Sequence, residues 1–354
     1  MAIHILIRLT AMGDALLAIP TARALAEQGI EVHWVLSRKW AGLAAFLPAH
    51  IHFLDNASSL LPMARRLRRL HPAATHDLQG KPASMALSYL LGTSVDRYRK
   101  RDLGENFRAG LGRYPLRGSD PLPVWRRYLS SVGIDHLPDS HINASLNHPL
   151  PFLQEARTYL YQFVSPHSSP LLLHPGASKV GKLLPDQALQ LFSSQLPGPL
   201  ILIGDPPFPG QKKSPASPTS LPSKDPNHAQ CSPLFQKTAS ASRDIPPLID
   251  LRGTIPLRLL PGIMSLSRGI ITTDSGPMHL ARAVGIPLMA LFFQTDPSLG
   301  FAPIPGDRQL LVSRDLPCKP CSLHGGRAVC PEGTWACRDL DWADLAAQAS
   351  RLFG

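Results

Sequence analysis

The sequence predicts an α/β protein with two domains, each a doubly wound parallel sheet, that face each other across a cleft. The chain has 354 residues, more than the roughly 100 to 200 of one ordinary domain, and 44% of them are hydrophobic, enough to fill two cores. Short apolar segments alternate with helical ones, first up to about residue 142 and again from about residue 171. Such alternation is typical of a parallel sheet covered by helices on both faces.

The first alternation begins at the N-terminus. Residues 3–9, 31–37 and 51–55 are short apolar runs that predict buried strands. A helical stretch runs from Ala15 to Leu25. Pro20 should kink this helix or delay its start, because proline removes a backbone donor and clashes inside a helix.

The domain boundary is predicted where the pattern weakens. Between residues 143 and 170 the sequence is polar and mixed, apart from one predicted helix. We therefore expect an N-terminal domain over residues 1–165 and a C-terminal domain over residues 166–354. In the second domain LLLHPGAS at 171–178 predicts a strand and a loop, and LILIGD at 200–205, GIITTD at 269–274 and IPLMALFF at 286–293 predict strands. Residues 206–245 are rich in Pro, Ser and Lys and predict a flexible insertion.

The charge balance favours acidic partners. Lysine and arginine number 36 against 25 acidic residues, which gives a formal net charge of +11. This charge suits nucleotides, phosphosugars, anionic membranes or nucleic acid. Arginines cluster within residues 65–69, 97–101 and 126–127. A solvated helix face explains each cluster as well, so charge alone selects no partner.

The N-terminal segment argues against export. Arg8 and Asp14 would interrupt the apolar core of a signal peptide. No run approaches the roughly 18 to 20 apolar residues of a membrane-spanning helix. The five cysteines are an odd number, which disfavours a disulfide framework. We therefore expect a cytoplasmic protein, at most peripheral at a membrane surface.

The segment ITTDSGPMHLARAVGIP predicts an anion site at a helix start. A strand should end at Asp274, and Pro277 should lie in the first turn of the next helix. The free amides at Ser275 and Gly276 and the helix dipole would then attract an anion such as a nucleoside diphosphate. The alternative is that Ser275 only caps the helix and Asp274 binds local amides.

A second loop, HPGASKVGKLLP, also suits an anion. Gly176 permits close approach of the backbone, and Lys179 and Lys182 can neutralise phosphate oxygens. The chain has neither the G-x-G-x-x-G fingerprint of a nicotinamide site nor a P-loop. These absences disfavour a dinucleotide cofactor and a P-loop nucleotide site.

The loop after the first strand, RLTAMGD, carries a candidate general base. Ligands of open α/β sheets bind at the carboxyl ends of strands, so Asp14 should line the cleft. A carboxylate there can accept a proton from a substrate. An N-terminal helix cap is the structural alternative for Asp14.

Together these three segments resemble glycosyltransferase family 9, the heptosyltransferase family. Its members show G-D near the N-terminus, P-G-x-x followed by K-x-W-P, and D-S-G-P-x-H-x-A. The matches here are Gly13 with Asp14, the loop 174–178 with Lys182 and Pro185, and residues 274–281. The resemblance extends over both domains. It implies the GT-B fold, with an N-terminal acceptor-binding and a C-terminal donor-binding Rossmann-like domain.

One further loop is similar to the family and also departs from it. LFFQTDP at residues 291–297 is similar to L-F-G-P-T-x-P and keeps Thr295. Phe293 and Gln294 replace the family's Gly and Pro, and Leu184 stands in place of the tryptophan of K-x-W-P.

The resemblance implies an activity and a set of site residues. It implies inverting transfer of heptose from ADP-heptose to a lipid-linked saccharide, the lipopolysaccharide inner core, without metal or cofactor. Asp14 would be the catalytic base, and Gly13 and Thr10 would bind the acceptor. The implied donor-binding residues are Gly176, Ser178, Lys182, Asp274, Ser275, Gly276, His279 and Thr295.

A cysteine cluster near the C-terminus has several interpretations. Cys318, Cys321, Cys330 and Cys337 form C-x2-C-x8-C-x6-C, of which C-x2-C is the usual first half of a structural zinc site. The second half is spaced poorly for zinc. Plain thiols, a soft metal and disulfides all remain open, and Cys231 should stand apart.

Two alternative functions remain open at this point. One is a member of the same family with another sugar nucleotide or another acceptor. The other is a non-catalytic basic protein that binds nucleotides or nucleic acid through a zinc module. Few aromatic residues interleave with the basic clusters, which disfavours nucleic acid.

Overall fold

A computed structural model describes residues 1–98, 122–148, 150–176, 179–205 and 248–354. The insertion predicted at 206–245 lies outside the described residues. The described residues form two α/β units, each built on a parallel sheet, so the predicted fold class of two doubly wound sheets is confirmed.

The first sheet has five parallel strands in the order β3-β2-β1-β4-β5. The strands are β1 Ile3–Ile7, β2 Glu31–Ser37, β3 His50–Leu54, β4 Ala74–Asp77 and β5 Ser94–Arg97. The strand order reverses between β1 and β4. Doubly wound sheets bind ligands beyond the carboxyl ends of the strands at such a reversal.

Helices flank this sheet. They are α1 Met12–Leu16, α2 Ile19–Glu27, α3 Leu60–Arg68, α4 Pro82–Leu91 and α5 Val124–Ser130, and a 3-10 segment covers Arg38–Phe46. Pro20 lies in the first turn of α2, where its missing N–H costs no helical hydrogen bond. The stretch 15–25, predicted as one helix kinked or delayed by Pro20, is instead divided between two helices.

The second sheet has six parallel strands in the order β11-β10-β9-β6-β7-β8. They are β6 Leu171–His174, β7 Leu200–Leu202, β8 Leu248–Asp250, β9 Gly269–Thr273, β10 Leu288–Phe292 and β11 Gln309–Ser313. Here the order reverses between β6 and β9. The candidate anion loops follow these two strands, one after each.

The remaining helices are α6 Leu150–Leu160, α7 Asp186–Gln195, α8 Leu260–Ser265, α9 Gly276–Val284 and α10 Trp342–Phe353. Helix α9 ends at Gly285, whose φ of +88° favours glycine. A Cβ on Gly262 of α8 would lie 2.6 Å from the Ala156 Cβ of α6, so α6 packs closely on the second unit. The domain boundary near residue 165 stays a prediction.

The main hydrophobic core runs through both units. It joins Leu6 and Trp34 of the first sheet to Ile270 and Phe292 of the second. Helix α1 packs directly on α9, which brings the switch points of both sheets to one cleft. Among the described residues, every helix falls short of the length and apolar character that a membrane span requires.

Candidate active site

The two units enclose a cleft of about 670 Å³, a size suited to a small-molecule ligand. The loop after β1 supplies Gly13 and Asp14 from one side. The loops after β6 and β9 supply Lys182, Asp274 and the start of α9 from the other. The two switch points therefore face each other across the cleft.

Asp14 is not a helix cap. The N-cap of α1 is Ala11, which makes no side-chain capping bond, and Asp14 lies in the first turn of the helix. Its Oδ2 pairs with Nη2 of Arg8, whose residue is only 7% exposed. The carboxylate thus lines the cleft while a buried cation fixes its position.

Arg8 is itself held by the neighbouring strand. Its Nη1 donates to the Leu78 carbonyl at 3.2 Å and to Gln79 Oε1 at 3.0 Å. The same Gln79 oxygen accepts the backbone N–H of Thr10 at 3.1 Å, and Gln79 Nε2 donates to Thr10 Oγ1 at 2.9 Å. Gln79, which follows β4, thereby orders the loop that carries Asp14.

The start of α9 is open to a ligand. Ser275 is the N-cap but makes no capping bond, and its Oγ instead donates to the Thr273 carbonyl at 2.9 Å. Ser275 Oγ also lies 3.2 Å from Nδ1 of His174, at the end of β6. The N-cap side chain therefore leaves the amides at this helix start uncapped, and Ser275 and Gly276 line the cleft.

Asp274 forms an ion pair with a lysine of the neighbouring loop. Its Oδ2 lies 2.6 Å from Nζ of Lys182, and both side chains are largely buried. This contact ties the β6 loop to the end of β9. Lys39 and Lys179 also line the cleft, and among the described residues neither pairs with a carboxylate, so both are available to an anion.

His279 stands between the two units. It lines the cleft from α9, and a Cβ on Gly13 would lie 2.6 Å from its Cδ2. Only glycine permits this approach. Burial lowers the pKa of both His279 and His174 to about 4, so both imidazoles are neutral at pH 7.

The structure brings most of the expected site residues together. Gly13, Asp14, Lys182, Asp274, Ser275, Gly276 and His279 line the one cleft. Thr10 instead turns its hydroxyl to Gln79, and Gly176 packs beside Leu183. Thr295 is only 1% exposed, and its hydroxyl has no hydrogen-bond partner within the part of the chain that the structure describes. Ser178 lies outside the described residues.

The three residues that differ from the family motifs lie in the protein core rather than at the cleft. Leu184 and Phe293 both belong to the hydrophobic cluster beneath the second sheet. Gln294 is buried and binds the backbone of Arg327, which donates to Oε1 at 3.2 Å and accepts from Nε2 at 2.9 Å. None of the three is a lining residue of the cleft.

The arginine clusters have mixed surroundings. Arg65, Arg66 and Arg68 are exposed on α3, as a solvated helix face predicts. Arg97 pairs with buried Asp77 at 3.3 Å, and Arg126 pairs with Asp139. Residues 99–101 lie outside the described residues.

Sequence reasoning missed several residues of the site. Arg8 and Gln79 support Asp14, and Lys39 and His324 line the cleft. The sequence did contain a signal for Arg8, because this charged residue directly follows an apolar strand and lies six positions before the candidate base. Gln79 carried no local signal, because its contact depends on the pairing of β1 with β4.

A family model matches part of the chain. Residues 236–329 match glycosyltransferase family 9, described as the heptosyltransferase family. The match contains the segment at the start of α9 and the loop after β10. A search of the curated proteins finds no match.

Solved structures share the fold over nearly the whole chain. The family 9 glycosyl transferase of Veillonella parvula DSM 2008 aligns with a TM-score of 0.71 and 14% identity, covering 99% of this chain and 97% of that one. ADP-heptose LPS heptosyltransferase II of E. coli aligns with a TM-score of 0.63 and 16% identity, covering 99% of both chains. The iron-containing dodecameric glycosyltransferase TibC of enterotoxigenic E. coli H10407 aligns at 0.55 and 13% identity, covering 99% of this chain and 76% of TibC.

Proposed function

We propose that this chain is a glycosyltransferase of family 9 that transfers heptose from ADP-heptose to a lipopolysaccharide inner-core acceptor with inversion and without a catalytic metal. One observation carries the proposal. A carboxylate from the first unit, Asp14, and an open helix start with Lys182 from the second line the same cleft. A base and a diphosphate site on opposite walls suit transfer between two substrates.

In the proposed reaction Asp14 removes the proton of the acceptor hydroxyl. The oxygen then attacks the anomeric carbon of the donor sugar from the face opposite the diphosphate. The bond from the anomeric carbon to the phosphate oxygen breaks, and ADP leaves with the electron pair. Arg8 keeps the Asp14 carboxylate in place for this attack, and general base catalysis of this kind contributes about 10² to 10⁴ in rate.

The departing diphosphate needs positive charge, which the side of the cleft formed by the second unit supplies. The amides at Ser275 and Gly276 and the dipole of α9 face the cleft. Lys179 and Lys182 follow β6 on the same wall, and Lys39 reaches the cleft from the first unit. These groups can take the place of a metal ion in stabilising the leaving group. TibC is described as iron-containing, so metal-free transfer is tested separately below.

We propose that the acceptor enters from the first unit and is a phosphorylated, lipid-linked saccharide. Basic side chains at Arg65, Arg66 and Arg68 lie exposed on α3 and suit an anionic membrane surface. The site of action would then be the inner face of the inner membrane. A family member with another sugar nucleotide is the second candidate, and the donor panel below distinguishes the two.

The donor is tested by thermal shift of the purified protein with ADP, UDP and GDP and the matching sugar nucleotides. A ligand that binds only the folded state raises its melting temperature. Stabilisation by ADP and ADP-heptose alone supports the proposal. Stabilisation by UDP or GDP instead would mean that the donor is a sugar nucleotide of that base. An unchanged melting temperature with every nucleotide would contradict a donor site. Transfer that persists after dialysis against EDTA is expected, whereas activity restored only by added metal would reject metal independence.

The catalytic base is tested with Asp14→Asn. We expect kcat to fall by about 10² to 10⁴ while the Kd for ADP stays within about threefold, because the base acts on the acceptor. Glu27→Gln, on the exposed end of α2, is the matched control and should keep wild-type kcat. Normal turnover by Asp14→Asn, with its fold verified by melting temperature, would reject Asp14 as the base.

A further inference from the structure

The amino end of the first sheet carries a cluster of polar side chains that the proposed reaction does not use. Strand β2 contributes Glu31 and His33, and the neighbouring edge strand β3 contributes His50 and His52. Side chains two residues apart on a strand leave the same face of the sheet. His50 is paired with His33 in the strand register, which places both strands' contributions on one face. Three imidazoles and a carboxylate therefore meet at one corner of the sheet.

Three of these side chains place their ligand atoms around one point. Oε1 of Glu31 lies 2.9 Å from Nε2 of His33 and 3.5 Å from Nε2 of His50. All three residues offer ligand atoms within 4.8 Å of one another. Zinc bonds of about 2.0 to 2.2 Å put the ligand atoms of a tetrahedral site roughly 3.3 Å apart. The observed separations are close to that value, so one ion fits between the three atoms after small side-chain movements.

The chemistry of these ligands selects the kind of ion. Two imidazoles and one carboxylate form a known set of protein ligands for Zn²⁺. Ca²⁺ and Mg²⁺ instead require mostly oxygen ligands, of which this cluster has too few. Within the part of the chain that the structure describes, no other three His, Cys, Asp or Glu residues bring their ligand atoms this close together.

His52 supplies the hydrogen-bond partner that a metal-binding histidine requires. Its Nε2 lies 2.9 Å from Nδ1 of His33, the ring nitrogen that does not face Glu31. A histidine that binds a metal ion through Nε2 carries its proton on Nδ1 and donates it to an acceptor, which fixes the orientation of the ring. His52 thus supports His33 in the way that the second layer of residues around a metal site does.

The cluster is rigid on one side and open on the other. The side chain of His33 is only 8% exposed, whereas that of Glu31 is 32% and that of His50 is 66% exposed. Two paired strands hold all three ligands, which limits the movement of their backbone. An ion can enter from solvent past His50 and keep a water molecule as its fourth ligand.

We propose that Glu31, His33 and His50 bind one Zn²⁺ ion in a structural site that ties the edge strand β3 to β2. Water completes the coordination, and no electron is transferred. β3 pairs with β2 alone, so a link through the ion adds a second attachment at the start of this strand.

The site lies far from the cleft. Lys39 and Trp40 line the cleft just beyond the carboxyl end of β2, whereas Glu31 begins that strand, roughly 20 Å away along the chain. The ion should therefore raise the stability of the protein without changing turnover, so the site and the proposed function are tested independently.

The test is zinc binding by the full-length protein, produced without a polyhistidine tag and stripped of metal with EDTA. Equilibrium dialysis against buffered Zn²⁺ counts the ions that each protein takes up. We expect wild type to bind one equivalent more than His50→Ala or Glu31→Gln. His167→Ala, which replaces an exposed histidine outside the cluster, should bind as much as wild type. Equal uptake by wild type, His50→Ala and Glu31→Gln would overturn the proposal. Because each result is a difference between proteins, an ion bound elsewhere in the chain does not affect it.

The partner of His33 provides a second variant. His52→Leu removes the acceptor of the Nδ1 proton and should weaken zinc binding by about 10- to 100-fold, as measured by calorimetric titration. His52→Gln keeps an acceptor oxygen and should bind zinc more tightly than His52→Leu. Unchanged zinc affinity in His52→Leu would reject Nε2 of His33 as a ligand, and with it the three-residue site.

Melting temperatures separate lost binding from lost folding. The His50 side chain is 66% exposed, so metal-free His50→Ala should melt close to metal-free wild type. Zinc should then raise the melting temperature of wild type more than that of His50→Ala, because an ion that binds only the folded state stabilises it. A shift of equal size in both proteins would mean that zinc acts elsewhere, and would contradict the proposal.

Discussion

At the scale of single residues, the candidate base depends on a chain of buried contacts. Asp14 is paired with Arg8, and Arg8 is held by Gln79 Oε1 at 3.0 Å and by the Leu78 carbonyl at 3.2 Å. Gln79 is only 2% exposed. A buried cation without its acceptors is costly, so each member of this chain keeps the others in one arrangement. The Asp14 carboxylate is thereby preorganised before any substrate binds.

The buried histidines give the stability of the protein a pH dependence. Burial lowers the pKa of His174 from 6.5 to about 4. The unfolded state therefore takes up a proton at higher pH than the folded state does. The contribution to stability is fully present above pH 6.5 and is lost as the pH falls towards 4. For His174 it is on the order of 3 kcal/mol, since one pKa unit corresponds to about 1.4 kcal/mol.

We predict that His174→Asn reduces this pH dependence. Asparagine keeps an acceptor near Ser275 Oγ but has no titratable group in this range. Urea unfolding at pH 7.5 and pH 4.5 measures the free energy of unfolding of wild type and variant. The loss on acidification should be smaller in His174→Asn, and unchanged in the exposed control His148→Asn. Equal losses in all three proteins would show that His174 does not stay neutral when folded.

At the scale of elements, a departure from the family pattern has a structural explanation. Gln294 follows β10, where the family has proline, and its side chain binds both backbone polar groups of Arg327. Its carbonyl also accepts the N–H of Cys321 at 3.1 Å. A Cβ on Gly181 would meet Gln294 Oε1 at 1.9 Å. Gln294 thus joins the end of β10, the loop that carries Gly181 and Lys182, and the segment from Cys321 to Arg327, which a proline side chain cannot do.

We predict that Gln294→Leu destabilises the protein by about 1 to 3 kcal/mol, because the Arg327 amide and carbonyl lose this partner in a partly buried place. The affinity for ADP should fall as well, because the loop that carries Lys182 shifts. Gln190→Leu, on the exposed side of α7, is the control. Urea unfolding and calorimetric titration with ADP measure the two effects. A stable variant with normal ADP affinity would mean that the segment around Arg327 keeps its position without Gln294.

The elements that the sequence predicted are those with continuous apolar runs. β1, β2, β9 and β10 are buried and were expected within one or two residues. β4 was missed because its buried positions are polar, namely Thr75, His76 and Asp77, and β5 because it is an exposed edge strand. Only the tertiary fold makes these segments strands. The same limit applies to the site, where local motifs indicated Asp14 and Lys182 but long-range pairing positions Gln79.

At the scale of the whole molecule, the cleft depends on how closely the two units approach. Helix α1 meets α9 through two glycines, one from each unit. A Cβ on Gly13 would lie 2.6 Å from the buried His279 ring, and a Cβ on Gly276 would lie 2.3 Å from the Cε of Met12. The His279 ring is only 7% exposed and has little room to move, whereas the end of a methionine side chain can rotate away. A side chain at Gly13 should therefore disturb the interface more than one at Gly276, although the Gly276 contact is the shorter.

We predict that Gly13→Ala lowers kcat/KM by about 10² or more, because a shift of about 1 Å between the units misaligns base and donor. Gly276→Ala at the same interface should lower it by less than about fivefold. Small-angle scattering with saturating ADP checks the cause, and should show a larger radius of gyration for Gly13→Ala than for Gly276→Ala. His279→Ala in the Gly13→Ala background removes the obstructing ring and should restore the compact radius, even if turnover stays low. If Gly13→Ala is inactive but as compact as wild type, the glycine acts on Asp14 locally, and the approach of the two units is not what it controls.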